Sequence, residues 1–337
     1  MSARARLVTL VAVCLLALGG TTAYVLVARD GQREAMAAAP AQPTVSVASL
    51  QDQPRIVFRN TAIGPDYGKI AMVPLSDPGG PRAVTAQSCD RVFATSARTL
   101  CLGSDGGAGA TWRATVTTRS EASPRQLPLT GTPSRARLSR DGSHAATTTF
   151  VAGDSYTATG FSTRTVITTL ADGASRDLED FRLVHRGRAI RPAERNFWGV
   201  TFAADGDTFY VTASFGQQNW LARGSLSRRT LTTLRADAEC PSLSPDGTRV
   251  AYKKRQDRRA GDWRIAVLDL ASGRETVLPG ERTVDDQVEW LDDQQLVYGL
   301  PGEGTRAAET DVWVVPADGT GRPRVLIEKA WSPAVVR

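Results

Sequence analysis

The residues best suited to chemistry in this 337-residue chain are two adjacent carboxylate pairs, Asp285-Asp286 and Asp292-Asp293. Paired carboxylates hydrolyse or eliminate at glycosidic bonds when one is held protonated and its partner ionised. Near Asp285, Asp286 and Gln287 in the expected architecture fall a basic run, Lys253-Lys254-Arg255 with Arg258 and Arg259, and the aromatic stretch Asn196-Phe197-Trp198. The basic run and the acidic pair could equally neutralise one another. Only two histidines exist, His144 and His185, so a zinc site would have to be built almost wholly from carboxylates, which zinc rarely prefers. The chain lacks the Gly-x-Ser-x-Gly nucleophile elbow of serine hydrolases. The glycine-rich 103–109 leads into no helix and reads as a loop, not a phosphate cradle. No metal or cofactor is expected.

What must position these residues is a repeat. Cys240-Pro-Ser-Leu-Ser-Pro-Asp-Gly247 runs into Thr248-Arg-Val-Ala-Tyr-Lys253, and Leu138-Ser-Arg-Asp-Gly142, Phe202-Ala-Ala-Asp-Gly206 and Trp290-Leu-Asp-Asp-Gln294 fall into register with it. A worn copy begins at Val92-Phe-Ala-Thr-Ser96, and the five anchors are separated by 46, 64, 41 and 47 residues. Stacked units of that period, built from strands, form a β-propeller. Blades fall at about 87–131, 132–195, 196–236, 237–281 and 282–329, and an earlier one holds 55–58, 69–73 and 82–85. That first blade lacks an innermost strand, and Trp331-Ser-Pro-Ala-Val-Val336 starts a repeat that nothing follows. The C-terminal strand is therefore expected to complete blade one and close a six-bladed, all-β ring, removing exposed edges. The alignment assigns Asp292-Asp293 to the repeat's own turn. The long connections, 60–68, 103–111, 150–160, 254–262 and 299–310, all join second to third strands, and long loops gathered on one face are where binding resides. Phe197, Trp198, Lys253, Lys254, Arg255, Asp285, Asp286 and Gln287 are the candidate residues on that face.

Ser244-Pro-Asp-Gly247 with Arg249-Val-Ala-Tyr252, then Trp263-Arg-Ile-Ala-Val-Leu-Asp-Leu270 and Asp311-Val-Trp-Val-Val-Pro-Ala-Asp-Gly319, resemble the WD40-like repeat of TolB-type six-bladed propellers. The stretches 239–247, 284–293 and 332–337 resemble actinobacterial TolB-like proteins with an N-terminal membrane segment. The resemblance covers roughly 54–337 and implies the fold and an inclination toward binding. TolB itself is a periplasmic protein of the Tol–Pal system with an extra N-terminal α/β domain. This chain has only a tether there, so the Tol–Pal role does not follow.

The first residues are a different material. Arg4 and Arg6 precede an uncharged run from Leu7 to Ala28, closed by Arg29-Asp30. Twenty-two uncharged, mostly apolar residues suffice to cross about 30 Å of hydrocarbon. Residues 1–29 therefore read as a signal-anchor, spanning the cell membrane through 7–28 with the C-terminal domain outside; the alternative is secretion after cleavage near Ala37-Ala38-Ala39. Residues 30–53, rich in Ala, Gln and Pro, read as a flexible linker before the propeller domain at 54–337. Outside the cell, a disulfide between Cys89 and Cys101 is expected. A three-residue hairpin loop at Pro245-Asp246-Gly247 would pair Ser244 with Thr248 and Cys240 with Tyr252, and the same register sets Cys89 against Cys101. Cys240 is left as a buried thiol. The net charge of +6 comes from arginines dispersed along the chain, and no RRM, KH or zinc-finger signature accompanies them, so nucleic acid is not an expected partner. The residues favour a non-catalytic module binding an envelope protein, peptide or polymer over an extracellular carbohydrate hydrolase or lyase using Asp285 and Asp286.

Overall fold

The computed structural model describes residues 3–38, 42–104, 111–118, 124–151, 162–255, 261–280 and 282–337. Val-, Ile- and Thr-rich runs form short antiparallel strands, and these assemble into six sheets arranged as the blades of a propeller. Blade two is typical: Arg91–Ala94 lies innermost, followed outward by Arg98–Ser104, Trp112–Thr118 and Arg125–Leu127. Blade three opens with Thr132–Leu138, blade four with Asn196–Phe202, blade five with Glu239–Leu243 and blade six with Glu289–Trp290. Six apolar clusters fill the six spaces between successive blades. Phe197 and Phe209 of blade four meet Ala146 and Ile167 of blade three in one of them, and Trp290 of blade six meets Val267 of blade five in another. Each sheet therefore buries both faces.

Closure occurs as the sequence implies. The last strand, Ala330–Val336, pairs antiparallel with Arg55–Asn60, so blade one runs from the C-terminal strand through Arg55–Asn60 and Lys69–Pro74 to Ala83–Ser88. Ser332 Oγ donates to Val92 O (3.3 Å), and the Arg337 guanidinium donates to Trp290 O (3.1 Å), tying the closing strand to blades two and six. Arg82 clasps the same seam. Its buried guanidinium donates to Asn60 Oδ1 (2.7 Å), Lys329 O (3.2 Å) and Glu328 O (3.0 Å).

The repeated turn is a side-chain device. Ser244 Oγ accepts from Arg249 N (2.9 Å) while Asp246 accepts from Thr248 N (3.0 Å), and Gly247 takes the left-handed conformation (φ 73°) that a residue with Cβ enters only at a cost. Asp292 likewise accepts from Gln294 N and Gln295 N (2.7 and 2.8 Å), which gives it the scaffolding role its position in the repeat implies.

Three details depart from expectation. The hairpin loop has four residues: Ser244 N donates to Arg249 O (2.8 Å) and Leu243 pairs with Val250, so Ser244 does not oppose Thr248. A bulge centred on Cys240 (φ 51°) then slips the ladder back and sets Glu239 opposite Lys253, where the expected register has it. In blade two Val92, and not Cys89, opposes Cys101; Cys89 lies before the strand, yet its Cα is 5.5 Å from that of Cys101 and the disulfide is formed. Finally, the surplus of the long third unit belongs elsewhere. Arg182–His185 and Arg188–Ile190 form a hairpin that adds in parallel to Thr230–Ala236, the outermost strand of blade four, giving that blade six strands. Blade three ends at Ser175–Asp177.

One N-terminal helix, Ala3–Ala38, contains a stretch long and apolar enough to cross a membrane: Thr9–Gly31, 23 residues with mean hydropathy 2.2 and none of it buried. Within the segment expected as a linker, that helix continues to Ala38, and residues from Pro43 onward lie against blade one. Val45 N donates to Arg82 O and Arg82 N to Pro43 O (both 3.1 Å), and Leu50 is buried beside Val57 and Ile70.

Candidate functional site

Innermost strands present one side-chain row to the propeller axis, where six strands converge and little room remains. This chain fills that space with charge. Arg91 from blade two, Arg135 and Arg137 from blade three, and Asp286 and Glu289 at the entry to blade six meet there, with Lys253 and Asp285 above them. Arg91 Nε donates to Ser134 O (2.7 Å) and its guanidinium lies 5.4 Å from the Trp331 ring. Arg135 reaches Asp285 Oδ1 at 3.3 Å, and Lys253 Nζ reaches the same oxygen at 2.6 Å while lying 4.1 Å from the Trp263 ring. Arg137 is ion-paired with Glu289, donates to Val288 O (3.2 Å) and lies 4.5 Å from the Phe93 ring. The Nε atoms of Arg135 and Arg137 are buried without a hydrogen-bond acceptor.

The acidic pair splits in behaviour. Burial raises the Asp285 pKa, but Lys253, Arg135 and Arg91 outweigh it and hold this carboxyl below its ordinary range. Asp286 goes the other way. Burial dominates and raises it, against the pull of Arg91 and Arg135 and of hydrogen bonds including one from Gly299 N (2.9 Å). Burial also lowers Arg91 to about 10, with neighbouring Arg135 adding to the effect. Divergent carboxylates are what an acid–base pair requires. Access is narrow at Asp286, which is 1% exposed with a space of about 10 Å³ beside it, room for at most one water.

A larger cavity lies along the same axis at the other end. About 430 Å³ opens among the short turns, floored by Arg137 and Glu289 and walled by Phe93, Phe202 and Leu243, with Arg140, Asp292 and Arg337 at its rim. Volumes of this size accommodate small ligands or a chain terminus. Its mouth is on the face opposite the long loops. Among the described residues no group of three or more His, Cys, Asp or Glu side chains could hold a metal ion.

Of the residues singled out in the sequence, the structure brings together Lys253 and Asp285, with Asp286 behind them. Gln287 donates to Val200 O (3.2 Å) and so spans the axis to blade four. Lys254 instead pairs with Glu275 (2.6 Å), and Arg255 with Glu239 (2.8 Å). Phe197, 2% exposed, is a core residue between blades three and four, and Trp198 is also buried. Arg258 and Arg259 lie outside the described residues. Sequence reasoning missed Arg91, Arg135, Arg137 and Glu289. A signal existed: Arg135 and Arg137, two apart on an innermost strand, must share one face.

The fold has known counterparts. TolB from Acinetobacter baumannii superposes with a TM-score of 0.61 at 15% identity, covering 84% of this chain and 67% of that one. The fold is that of a TolB-like six-bladed β-propeller. A puromycin-hydrolysing peptidase of Mycobacterium tuberculosis matches this propeller with a TM-score of 0.50 at 15% identity, covering 82% of this chain and 43% of that one. In sequence, the TolB-like chain is 33% identical over 144 residues to the lasso peptide isopeptidase AtxE2 of Asticcacaulis excentricus, over 38% of this chain and 19% of that protein. The chain thus spans about a fifth of that relative's length. No protein-family profile matches it.

Proposed function

We propose that this protein is a membrane-tethered extracytoplasmic propeller that binds an envelope protein, peptide or polymer without transforming it, and that the ligand enters the axial funnel among the short turns. The observation that carries the reading is the contrast in space along one axis: about 430 Å³ above Arg137 and Glu289, against about 10 Å³ beside Asp286. A funnel walled by Phe93, Phe202 and Leu243, with the exposed Arg140 and Arg337 at its rim, suits a peptide end, whose side chain takes the apolar wall and whose carboxylate takes a rim guanidinium. A peptide ligand also accords with the names of two proteins this chain resembles in part, a puromycin-hydrolysing peptidase and a lasso peptide isopeptidase. Arg4 and Arg6 ahead of the apolar helix favour a cytoplasmic N-terminus, and the Cys89–Cys101 disulfide fits an oxidising exterior.

The test is proximity labelling from the full chain in its native membrane, run beside a Phe93→Ala/Phe202→Ala variant of equal melting temperature. A labelled set that the variant loses is expected. Identical labelling by both forms would remove the funnel from the binding role. The second reading, carbohydrate hydrolysis or elimination at Asp285 and Asp286, rests on their divergent protonation. Turnover on a glycan panel that Asp285→Asn/Asp286→Asn abolishes would establish it and overturn the non-catalytic one.

A further inference from the structure

Among the described residues the hairpin added to blade four is the one departure from four-stranded blades, and it carries several arginines. Arg182 opens its first strand, Arg186 sits in its two-residue turn, Arg188 opens its second strand, and Arg191 follows the last. All four are exposed. Arg186 and Gly187 both have positive φ (49° and 76°), the turn that Asn-Gly ordinarily fills, so an arginine stands at the tip where a small residue would be easier. The patch continues onto the parent sheet from the Arg182 face of the hairpin, while Arg188, opposite His185, extends it around the hairpin's edge to the other face. Register places Arg182 beside Thr230 and Val184 beside Thr232, which opposes Arg223, so Arg182 and Arg223 share a face. Arg229, also exposed and left-handed (φ 49°), accepts at its carbonyl from Arg182 N. Among the described residues none of these six arginines is salt-bridged.

We infer that this hairpin is a docking strip for an extended anionic polymer of the cell envelope. Three occupants compete for an exposed basic strip. A protein partner would be expected to use apolar anchors, but among the described residues Leu234 is the only exposed large apolar side chain on the hairpin and its neighbouring strands. The host membrane is disfavoured by position: residues 43–50 dock on blade one, and in a six-bladed ring blade four lies diametrically opposite. A polyanion needs only a line of unneutralised cations, and forked guanidinium groups suit phosphate or carboxylate alike. The strip is independent of the funnel and holds whether or not a peptide enters there.

Binding of the full chain in neutral detergent micelles to long-chain polyphosphate and to poly-L-glutamate, at several salt concentrations, tests it; the two probes separate phosphate from carboxylate preference. Arg182→Gln/Arg186→Asn/Arg188→Gln/Arg191→Gln should weaken binding to the preferred polymer at least about tenfold and flatten its salt dependence by roughly 0.7–0.9 for each phosphate no longer neutralised. Removing four exposed arginines elsewhere, Arg113, Arg274, Arg322 and Arg324, should change it little. Equal losses in the two variants, or no binding to either polymer at physiological salt, overturns the inference. So does hairpin-dependent binding to anionic lipid vesicles that exceeds binding to both polymers. Loss of labelling by the Phe93→Ala/Phe202→Ala variant bears on the funnel alone.

Discussion

Deleting residues 331–337 removes the strand that closes the ring, and the structure sets the size of the effect. Ala334, Val335 and Val336 are each 9% exposed or less, and the strand pairs with Arg55, Ile56, Val57 and Arg59 of its neighbour. Burying a valine contributes about 1.5–3 kcal/mol, so the two valines supply roughly 3–6. Four ladder positions add about 0.5–1.5 kcal/mol for each hydrogen bond, and the ties to Val92 and Trp290 go as well. The sum, on the order of 6–10 kcal/mol, is comparable with the whole stability of a typical domain. The truncated chain should therefore fail to melt cooperatively in detergent, aggregate through the bared Arg55–Asn60 edge, and be cut rapidly by protease. Val336→Ala is the graded form: about 2 kcal/mol from the two methyl groups removed and the cavity left behind, read as a fall of roughly 3 °C for a propeller of this size. A truncated chain that melts within a few degrees of the parent would refute the reasoning, because the closing strand would then contribute nothing that the remaining sheets lack.

Reducing the Cys89–Cys101 bond, which closes a loop of sequence separation 12, should cost at most about 3 kcal/mol; thermal melts with and without reductant should differ for the parent and coincide for Cys89→Ala/Cys101→Ala. In Gly299→Ala the new Cβ would stand 2.3 Å from the Trp331 ring and 2.9 Å from Asp286 Oδ2, so the melt should fall by an amount matching about 1–3 kcal/mol. Because Asp286 has a raised pKa in the fold, its stabilising contribution is complete below the unfolded value and is lost as pH rises through the folded one. Asp286→Asn keeps an acceptor for Gly299 N while remaining neutral, so it should be more stable than the parent at neutral pH and lose that advantage in acid; an unchanged difference across pH would contradict this. Asp141, Asp205 and Asp246 have lowered pKa values because their turn hydrogen bonds outweigh burial, so their contribution is present above the unfolded carboxylate value and lost as pH falls through the folded one. Acid melts should therefore show these turns failing first, as early loss of hydrogen-exchange protection at 139–144, 203–208 and 244–249.

The ring was legible because its punctuation is local. A Ser-x-Asp-Gly turn carries its own hydrogen-bond partners, and Asp246 accepts from Thr248 N whatever the rest of the chain does. Register was less legible. The four-residue loop and the bulge at Cys240 shift the ladder in opposite senses, and nothing in the residue types marks Cys240 as left-handed. The surplus at 182–190 could be counted from spacing but not assigned, since its parallel pairing with Thr230–Ala236 joins residues nearly fifty positions apart. The acidic pair was found while its arginine partners were not. In sequence the arginines read as charge dispersed along the chain, whereas the fold brings Arg91, Arg135 and Arg137 together at the propeller axis. Phe197, expected on the long-loop face, is buried because both faces of each blade are covered, so an aromatic near a loop is still packed in the core.

The Arg82 clasp has a mechanical meaning. Tension on the chain ahead of Pro43 enters the ring through the hydrogen bonds of Pro43 and Val45 to Arg82, and the Arg82 guanidinium passes it to Glu328 and Lys329, the residues leading into the closing strand. Load from the N-terminal side is thus delivered to the seam where the two ends of the propeller meet, and not to a blade whose strands are contiguous. The seam is where force would open the ring first, and Arg82 is the rivet that shares the load between its two sides.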